Sequence, residues 1–282
     1  MNYRHAFHAG NFADVFKHAL LVELLAMLQA KPAAICYVDT HAGRGHYDLH
    51  GDEAERTREY VDGVQRLVDA RNLPSLLGQY VALVRSFGSN TRGALLQYPG
   101  SPAIAALLMR DYDRGILCEL HEEEAAALRI ALRGDTRFAI HQRDGYAAMN
   151  ALLPPAQKRG LVLIDPPFEA QGGEYVHIQN ALDNGLARWP NATYAIWYPI
   201  KLRETVIPFH RWLASHAGAH AVLVTELLLH ADNSALRLNG CGIAIINPPW
   251  QLELRLHQWL PALGQLLKGK RDATWRIDEL GH

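Results

Sequence analysis

The sequence predicts an α/β fold built on a mixed, mostly parallel sheet, and three features carry that prediction. Short strand-like segments at 34–39, 115–119, 136–141, 161–164 and 193–198 alternate with stretches of helical periodicity. The runs reaching Asp39, Glu119 and Asp165 each deliver an acid at a strand's carboxyl end, where open α/β sheets hold their ligands. Two further apolar runs, 220–229 and 241–246, are joined by a polar loop and predict a closing antiparallel pair.

The chain has 282 residues, 49% of them hydrophobic, enough for a full core. Its formal net charge is −1, which argues against a uniformly basic nucleic-acid binder; any cationic surface must be local. Cys36, Cys118 and Cys241 sit inside apolar runs with no C-x-x-C spacing, so they read as buried thiols rather than as disulfides or metal ligands. The apolar run from Ala19 to Leu28 is short and is broken by Glu23, so it does not span a membrane. The expected protein is soluble, reduced, cytoplasmic and monomeric, and needs no metal.

Residues 1–10 interleave Tyr3, Arg4, His5, Phe7 and His8. That mixture suits base stacking and phosphate contact, and equally an arm whose aromatics pack on the body. Asn11 is a good N-cap, and Phe12, Val15, Phe16, Ala19, Leu20 and Leu24 form one apolar stripe of the helix after it. Lys17 and His18 lie beside that stripe, where solvated side chains are the ordinary expectation. Pro32 stops the helix.

The first strand, 34–39, runs into Asp39-Thr40-His41-Ala42-Gly43-Arg44-Gly45. This D-x-x-x-G-x-G turn matches class I S-adenosylmethionine enzymes, because glycines let backbone approach a ligand closely. It departs from the nicotinamide fingerprint, since Asp48 stands where that pattern needs glycine. A simple tight turn would also account for it.

In a plain nucleotide-binding fold an acid follows the glycine turn by roughly 20 residues; here the next strand-ending acid is Glu119, so on the order of 50 residues are extra. They show two amphipathic helical patterns, at 52–70 and 74–87, and predict an inserted helical subdomain at 46–97. The methyltransferase-type domain would then comprise 1–45 and 98–282. Tyr98-Pro99-Gly100-Ser101-Pro102 returns the chain to it, with Ser101 expected as the N-cap of a helix reaching about Arg110. Glu119 can accept the ribose hydroxyls of a nucleoside. Asp144-Gly145, after the third strand, can receive an adenine amino group or serve as a routine turn.

The fourth strand ends in Asp165-Pro166-Pro167-Phe168. Two prolines cannot continue a ladder, so the chain leaves the sheet in a stiff turn. The turn offers a carboxylate, fixed carbonyls and an aromatic face: Asp165 and the Pro166 carbonyl can accept both N–H bonds of an exocyclic amine while Phe168 stacks on its ring. This D/N-P-P-Y/F/W pattern is the signature of methyltransferases acting on amino nitrogens of adenine, cytosine or glutamine. Asn247-Pro248-Pro249-Trp250 is a rival match, ranked lower because it ends the last strand, far from the glycine turn. Helices are expected at 174–189 and 203–217, and after Trp250 a helix followed by a loosely ordered tail.

Nearly end to end, the chain resembles the bacterial RlmJ family, methyltransferases of an adenine N6 in 23S rRNA. The resemblance rests on YRHAFHAGNFADVFKH near the N-terminus, VDTHAG at 38–43, YPGSP at 98–102, ELH at 119–121, DG at 144–145, LVLIDPPF at 161–168, WYP at 197–199 and INPPW at 246–250. It implies S-adenosylmethionine as cofactor. It also implies that Lys17, His18, His41, Gly43, Ser101, Glu119, Asp144, Gly145 and Asp165 line the cofactor and reaction site. Tyr3, with Arg4 and Phe168, would meet the nucleic acid. Phe168 departs from the commoner tyrosine but keeps the stacking face. Methylation of DNA adenine or of a protein glutamine uses the same turn chemistry, and a catalytically silent RNA-binding protein could keep the fold.

Overall fold

The computed structural model describes residues 4–91, 94–168, 171–216, 218 and 220–280. Ten strands are present among them: β1 Ile35–Asp39, β2 His46–Asp48, β3 Gln97–Pro99, β4 Arg114–Glu119, β5 Phe138–Gln142, β6 Arg159–Ile164, β7 Thr193–Ile200, β8 Val222–Leu228, β9 Gly240–Ile246 and β10 Thr274–Leu280. Eight form one sheet in the order β10-β8-β9-β7-β6-β1-β4-β5. β5, β4, β1, β6 and β7 are parallel neighbours, whereas β9 runs antiparallel between β7 and β8. With β1 central and the order reversing across it, this is the doubly wound class I arrangement predicted from sequence. The closing pair at 220–229 and 241–246 is β8 and β9.

The helices are α1 Phe12–Gln29, α2 Asp52–Thr57, α3 Glu59–Asp62, α4 Val64–Asp69, α5 Ser75–Ser86, α6 Ser101–Leu108, α7 Glu122–Ala131, α8 Gly145–Leu152, α9 Gln171–Arg188, α10 Arg203–His216 and α11 Leu252–Leu267. Two apolar cores cover the two faces of the sheet. One joins α1, α4, α5 and α11, with Phe16, Tyr80 and Trp259 fully buried; the other joins α9 and α10 to the opposite face through Leu182, Phe209 and Tyr194. β2 and β3 pair antiparallel at the two ends of the 46–97 segment, and its helices α2–α5 lie between them. No helix among the described residues is long and apolar enough to cross a membrane.

Three expectations are corrected. The tail does not stay loose: Thr274–Leu280 adds β10 antiparallel to β8. Its Arg276, Asp278 and Glu279 suit an edge strand, whose charges discourage pairing with other chains, and they hide the strand from an apolar-run search. Ser101 is the first helical residue rather than the cap; Gly100 occupies the N-cap without a side-chain bond. Lys17 and His18 are not solvated but 5% and 1% exposed, because α1 is enclosed by the sheet on one side and helices on the other.

Candidate active site

One cavity of about 1350 Å³ opens along the carboxyl edge of the central strands. Every site residue expected from sequence borders it except Tyr3, which lies outside the described residues. Apart from Arg4, they come from strand ends, from the turns that follow them and from the first two turns of α1 and the starts of α6 and α8.

β1 ends in Asp39, wholly buried. Tyr37 Oη and Ser101 Oγ donate to its Oδ2 at 2.6 and 2.7 Å, and the His41 N–H reaches Oδ1 at 3.3 Å. Burial raises its pKa, the two hydroxyl bonds partly counter this, and it settles at about 6. This bond takes the Ser101 hydroxyl away from capping and ties the start of α6 to β1. Gly43 and Gly45 turn the chain at φ +61° and +72°, a region that glycine enters freely. The Gly43 N–H donates to Glu119 Oε2 at 2.9 Å, and the His121 N–H donates to Oε1 at 2.8 Å. The carboxylate at the end of β4 is thereby fixed in direction, with further lone pairs on both oxygens.

His41 is neutral: burial lowers its pKa to about 4. The Thr40 hydroxyl lies 2.8 Å from His41 Nδ1 and 3.1 Å from the Leu163 carbonyl oxygen, and holds the ring in place. Asp144 caps α8, its Oδ1 accepting the Ala147 N–H at 2.8 Å, and its side chain is exposed. Gly145 packs so closely under Thr40 that a Cβ there would lie 2.0 Å from the Thr40 carbonyl oxygen.

Asp165 leaves the end of β6 and meets Lys17 from α1, with Nζ 2.5 Å from Oδ2. Lys17 also lies 3.0 Å from Asp14 Oδ1. Asp14 Oδ2 in turn accepts from His5 Nε2 and from the Gly10 N–H, both at 2.9 Å. Burial disfavours the Lys17 ammonium, but the two carboxylates outweigh it and raise its pKa well above the ordinary value. Asp14 is likewise opposed by burial, yet held well below the usual carboxylate range by His5 and Lys17. His18, one residue on, is neutral: burial and the neighbouring Lys17 lower its pKa to about 3, and its Nδ1 pairs with Tyr98 Oη at 2.7 Å. Phe168 ends the turn at φ +50°, 7% exposed, its ring edge-on to Tyr175 and Trp197 at 5.3 and 5.8 Å between centroids.

Asp14, Tyr146 and Trp197 also border the cavity, and sequence reasoning does not single them out as site residues. Asp14 stands three residues before Lys17, a helical pairing distance, and that spacing is the signal the sequence offers for it. Tyr146 donates to Glu174 Oε1 at 2.6 Å and lies edge-on to His41 at 5.0 Å, contacts between distant segments that carry no local signature.

The rival motif is elsewhere. Because β9 is antiparallel, Asn247 lies beyond the Tyr194↔Ile246 pair, next to the start of β7 and at the opposite edge of the sheet from Asp165. Its amide donates to the Pro190 and Ala192 carbonyls, both at 2.8 Å, and its Oδ1 pairs with His220 Nδ1 at 2.9 Å.

A family model described as "Ribosomal RNA large subunit methyltransferase D, RlmJ" matches residues 32–278. The chain belongs to this family. It is 37% identical over 278 residues to "Ribosomal RNA large subunit methyltransferase J" of Haemophilus influenzae, covering 99% of this chain and 98% of that protein. The protein of the same name from Escherichia coli K12 is 38% identical over 283 residues, covering 99% of this chain and all (100%) of that protein. A crystal structure of a Legionella pneumophila protein, 34% identical, matches the fold with a TM-score of 0.87 over 97% of this chain and 98% of that one. Membership in the RlmJ family makes this chain a methyltransferase of class I architecture.

Proposed function

We propose that this enzyme methylates the N6 of an adenine in 23S rRNA, with S-adenosylmethionine as donor. The observation that carries the reading is the position of Asp165. It ends β6 in a proline turn, is held by a buried lysine, and shares one cavity with Glu119, Asp144 and the Gly43 turn. The chemistry of the donor set fits the cofactor. A carboxylate with both oxygens oriented by backbone N–H groups suits a ribose diol, an exposed carboxylate on the next strand end suits an amino group, and neutral His41 adds no charge to repel a sulfonium. Gly43, Glu119, Asp144, Gly145, His41 and Ser101 would hold it, with Lys17 and His18 closing the site from α1. When bound, S-adenosylmethionine supplies an electrophilic methyl group.

The residues of the chain do the rest. An adenine amino group is a poor nucleophile because its lone pair is delocalised into the ring. Asp165 and the Pro166 carbonyl accept its two N–H bonds and draw the nitrogen toward tetrahedral geometry. Lys17 occupies Oδ2, which leaves Oδ1 for the amine and fixes the carboxylate before the substrate arrives. Phe168, held by Tyr175 and Trp197, offers the base an aromatic surface, and the base must be turned out of a helix or read from a loop. Carboxylates are weak bases, so Asp165 takes the N6 proton as or after the C–N bond forms. Tyr3 and Arg4 are the further substrate contacts proposed. In the same reading the protein is a cytoplasmic monomer, with 46–97 as a helical subdomain inserted into a methyltransferase domain of 1–45 and 98–282.

The test is transfer of labelled methyl from S-adenosylmethionine to rRNA lacking the modification, followed by nucleoside mass spectrometry. N6-methyladenosine in the large-subunit RNA is the expected product. Label in DNA or in protein glutamine instead would replace the substrate; cofactor binding with no transfer to any of them would point to a silent RNA binder.

A further inference from the structure

We propose that the loops after β7, after β8 and before β10, side by side at one edge of the sheet, form the surface that grips the phosphate backbone of the RNA as it leaves the reaction cavity. The proposal rests on the reading of the site as one that takes an adenine from rRNA. A base held at Asp165 stays attached to its strand, so a polyanionic backbone must exit the cavity somewhere.

Gripping it requires cations that the protein's own acids do not already neutralise. With 28 lysines and arginines against 29 acids in the whole chain, such cations have to be concentrated in one place. The pairs Ile200↔Gly240, Leu228↔Gly240 and Thr274↔Leu228 bring four strand ends together, so the segments 201–202, 229–239 and 268–273 emerge side by side. Their acids are spent: Asp232 is 2.7 Å from Arg203, Asp272 is 2.8 Å from Lys268, and buried Glu226 lies beneath Arg203 at 2.8 Å. Among the described residues, no ion pair engages Lys201, Arg237, Lys270 or Arg271.

Two of these cations, Arg237 and Arg271, converge. His230 loses basicity first through burial, then through Arg237 and Arg271, so cations from two different loops bear on one point. His230, Lys201 and Arg237 border the reaction cavity. His230 and Arg271 also border a second cavity of about 440 Å³, which shares His230 and Leu229 with the first. A cationic path thus leads from the reacting base across the sheet edge toward β10. Across the cavity Arg4 and His8 have carboxylates beside them, Glu53 at 3.1 Å and Glu59 at 3.0 Å, so that side carries little net positive charge even where Arg4 meets the substrate. The exit lies on the β7–β10 side.

The experiment compares wild type, the triple variant R237Q/K270Q/R271Q and a control, R129Q/R133Q/R211Q, in which three exposed arginines away from the cavity are neutralised. Affinity for an unmodified large-subunit rRNA fragment is measured across a salt series, and S-adenosylmethionine affinity by calorimetry. Each phosphate that the protein no longer neutralises flattens the salt dependence by about 0.7 on a single strand, so the loop variant should lose about 2 from the slope. The control should keep the wild-type slope, and cofactor affinity should be the same in all three. If the triple variant does not fold, Lys270→Gln alone, at an exposed loop position, should lose about 0.7. An unchanged slope in the loop variant, or an equal loss in the control, overturns the proposal while wild type still methylates RNA. No transfer to RNA by wild type overturns the underlying reading and this surface with it.

Discussion

Lys17 sits between two carboxylates, and most of what can be predicted at single residues follows from that. Asp165→Ala removes the acceptor facing the amine but none of the groups assigned to the cofactor. Methyl transfer should fall by on the order of 10³-fold, with S-adenosylmethionine affinity by calorimetry largely kept. Lys17→Met leaves Asp14 and Asp165 facing each other's charge without their shared cation. Breaking a buried pair costs about 3–5 kcal/mol, so the variant should lose stability to urea as well as activity. A variant of wild-type stability would show that the ion pair is not held in solution. His18 gives a pH test. Its pKa is about 3 in the folded chain against 6.5 unfolded, so below pH 6.5 the unfolded state binds the proton and the folded state does not. The stability it contributes is complete above pH 6.5 and is lost as pH falls toward 3. His41, at about 4, acts in the same direction, whereas Asp39, raised to about 6, takes up its proton on folding and opposes them over pH 6 to 4. Urea unfolding of His18→Gln should therefore show a shallower acid loss than wild type across this window, and parallel curves would refute the assignment.

At the scale of elements, the site depends on how closely strand ends and helix starts pack. Gly145→Ala would push a methyl group into the Thr40 carbonyl, 2.0 Å away, and that partner is backbone. Either α8 or the β1 turn has to move. Roughly 1–3 kcal/mol of stability should be lost, together with cofactor affinity, since His41 and Asp144 flank the contact. Thermal melts with and without S-adenosylmethionine check both effects. The same scale shows what the chain discloses before folding. The parallel strands β1, β4, β6 and β7 were legible because each is built on a short apolar run, and Asp165 because two prolines force an exit from the sheet. β10 was not, because an edge strand such as Thr274–Leu280 alternates charge with apolar side chains. The bond from Ser101 to Asp39 was not, because it spans 62 positions and competes with a local cap that looks equally good. Burial of Lys17 and His18 was not, because a single apolar stripe predicts one covered face, whereas α1 is covered on both sides.

At the scale of the whole molecule, strand direction decides between two turns of nearly the same sequence. Local chemistry cannot separate Asp165-Pro-Pro-Phe from Asn247-Pro-Pro-Trp, since each pairs an acceptor and prolines with an aromatic ring. Position in the order of strands favoured the first, but the stronger reason is that β9 is inserted antiparallel. Its end faces the opposite edge, away from Glu119, Asp144 and the Gly43 turn. Asn247 is also occupied. It ties the start of β7 to the end of β9 through the Pro190 and Ala192 carbonyls, which leaves no free amide for a substrate. Asn247→Ala should thus leave methyl transfer per folded molecule unchanged and cost about 1–3 kcal/mol through unsatisfied carbonyls. Loss of transfer in a variant that melts like wild type would reverse this assignment, make the far edge the reactive one, and require the RNA to approach the sheet from the other side.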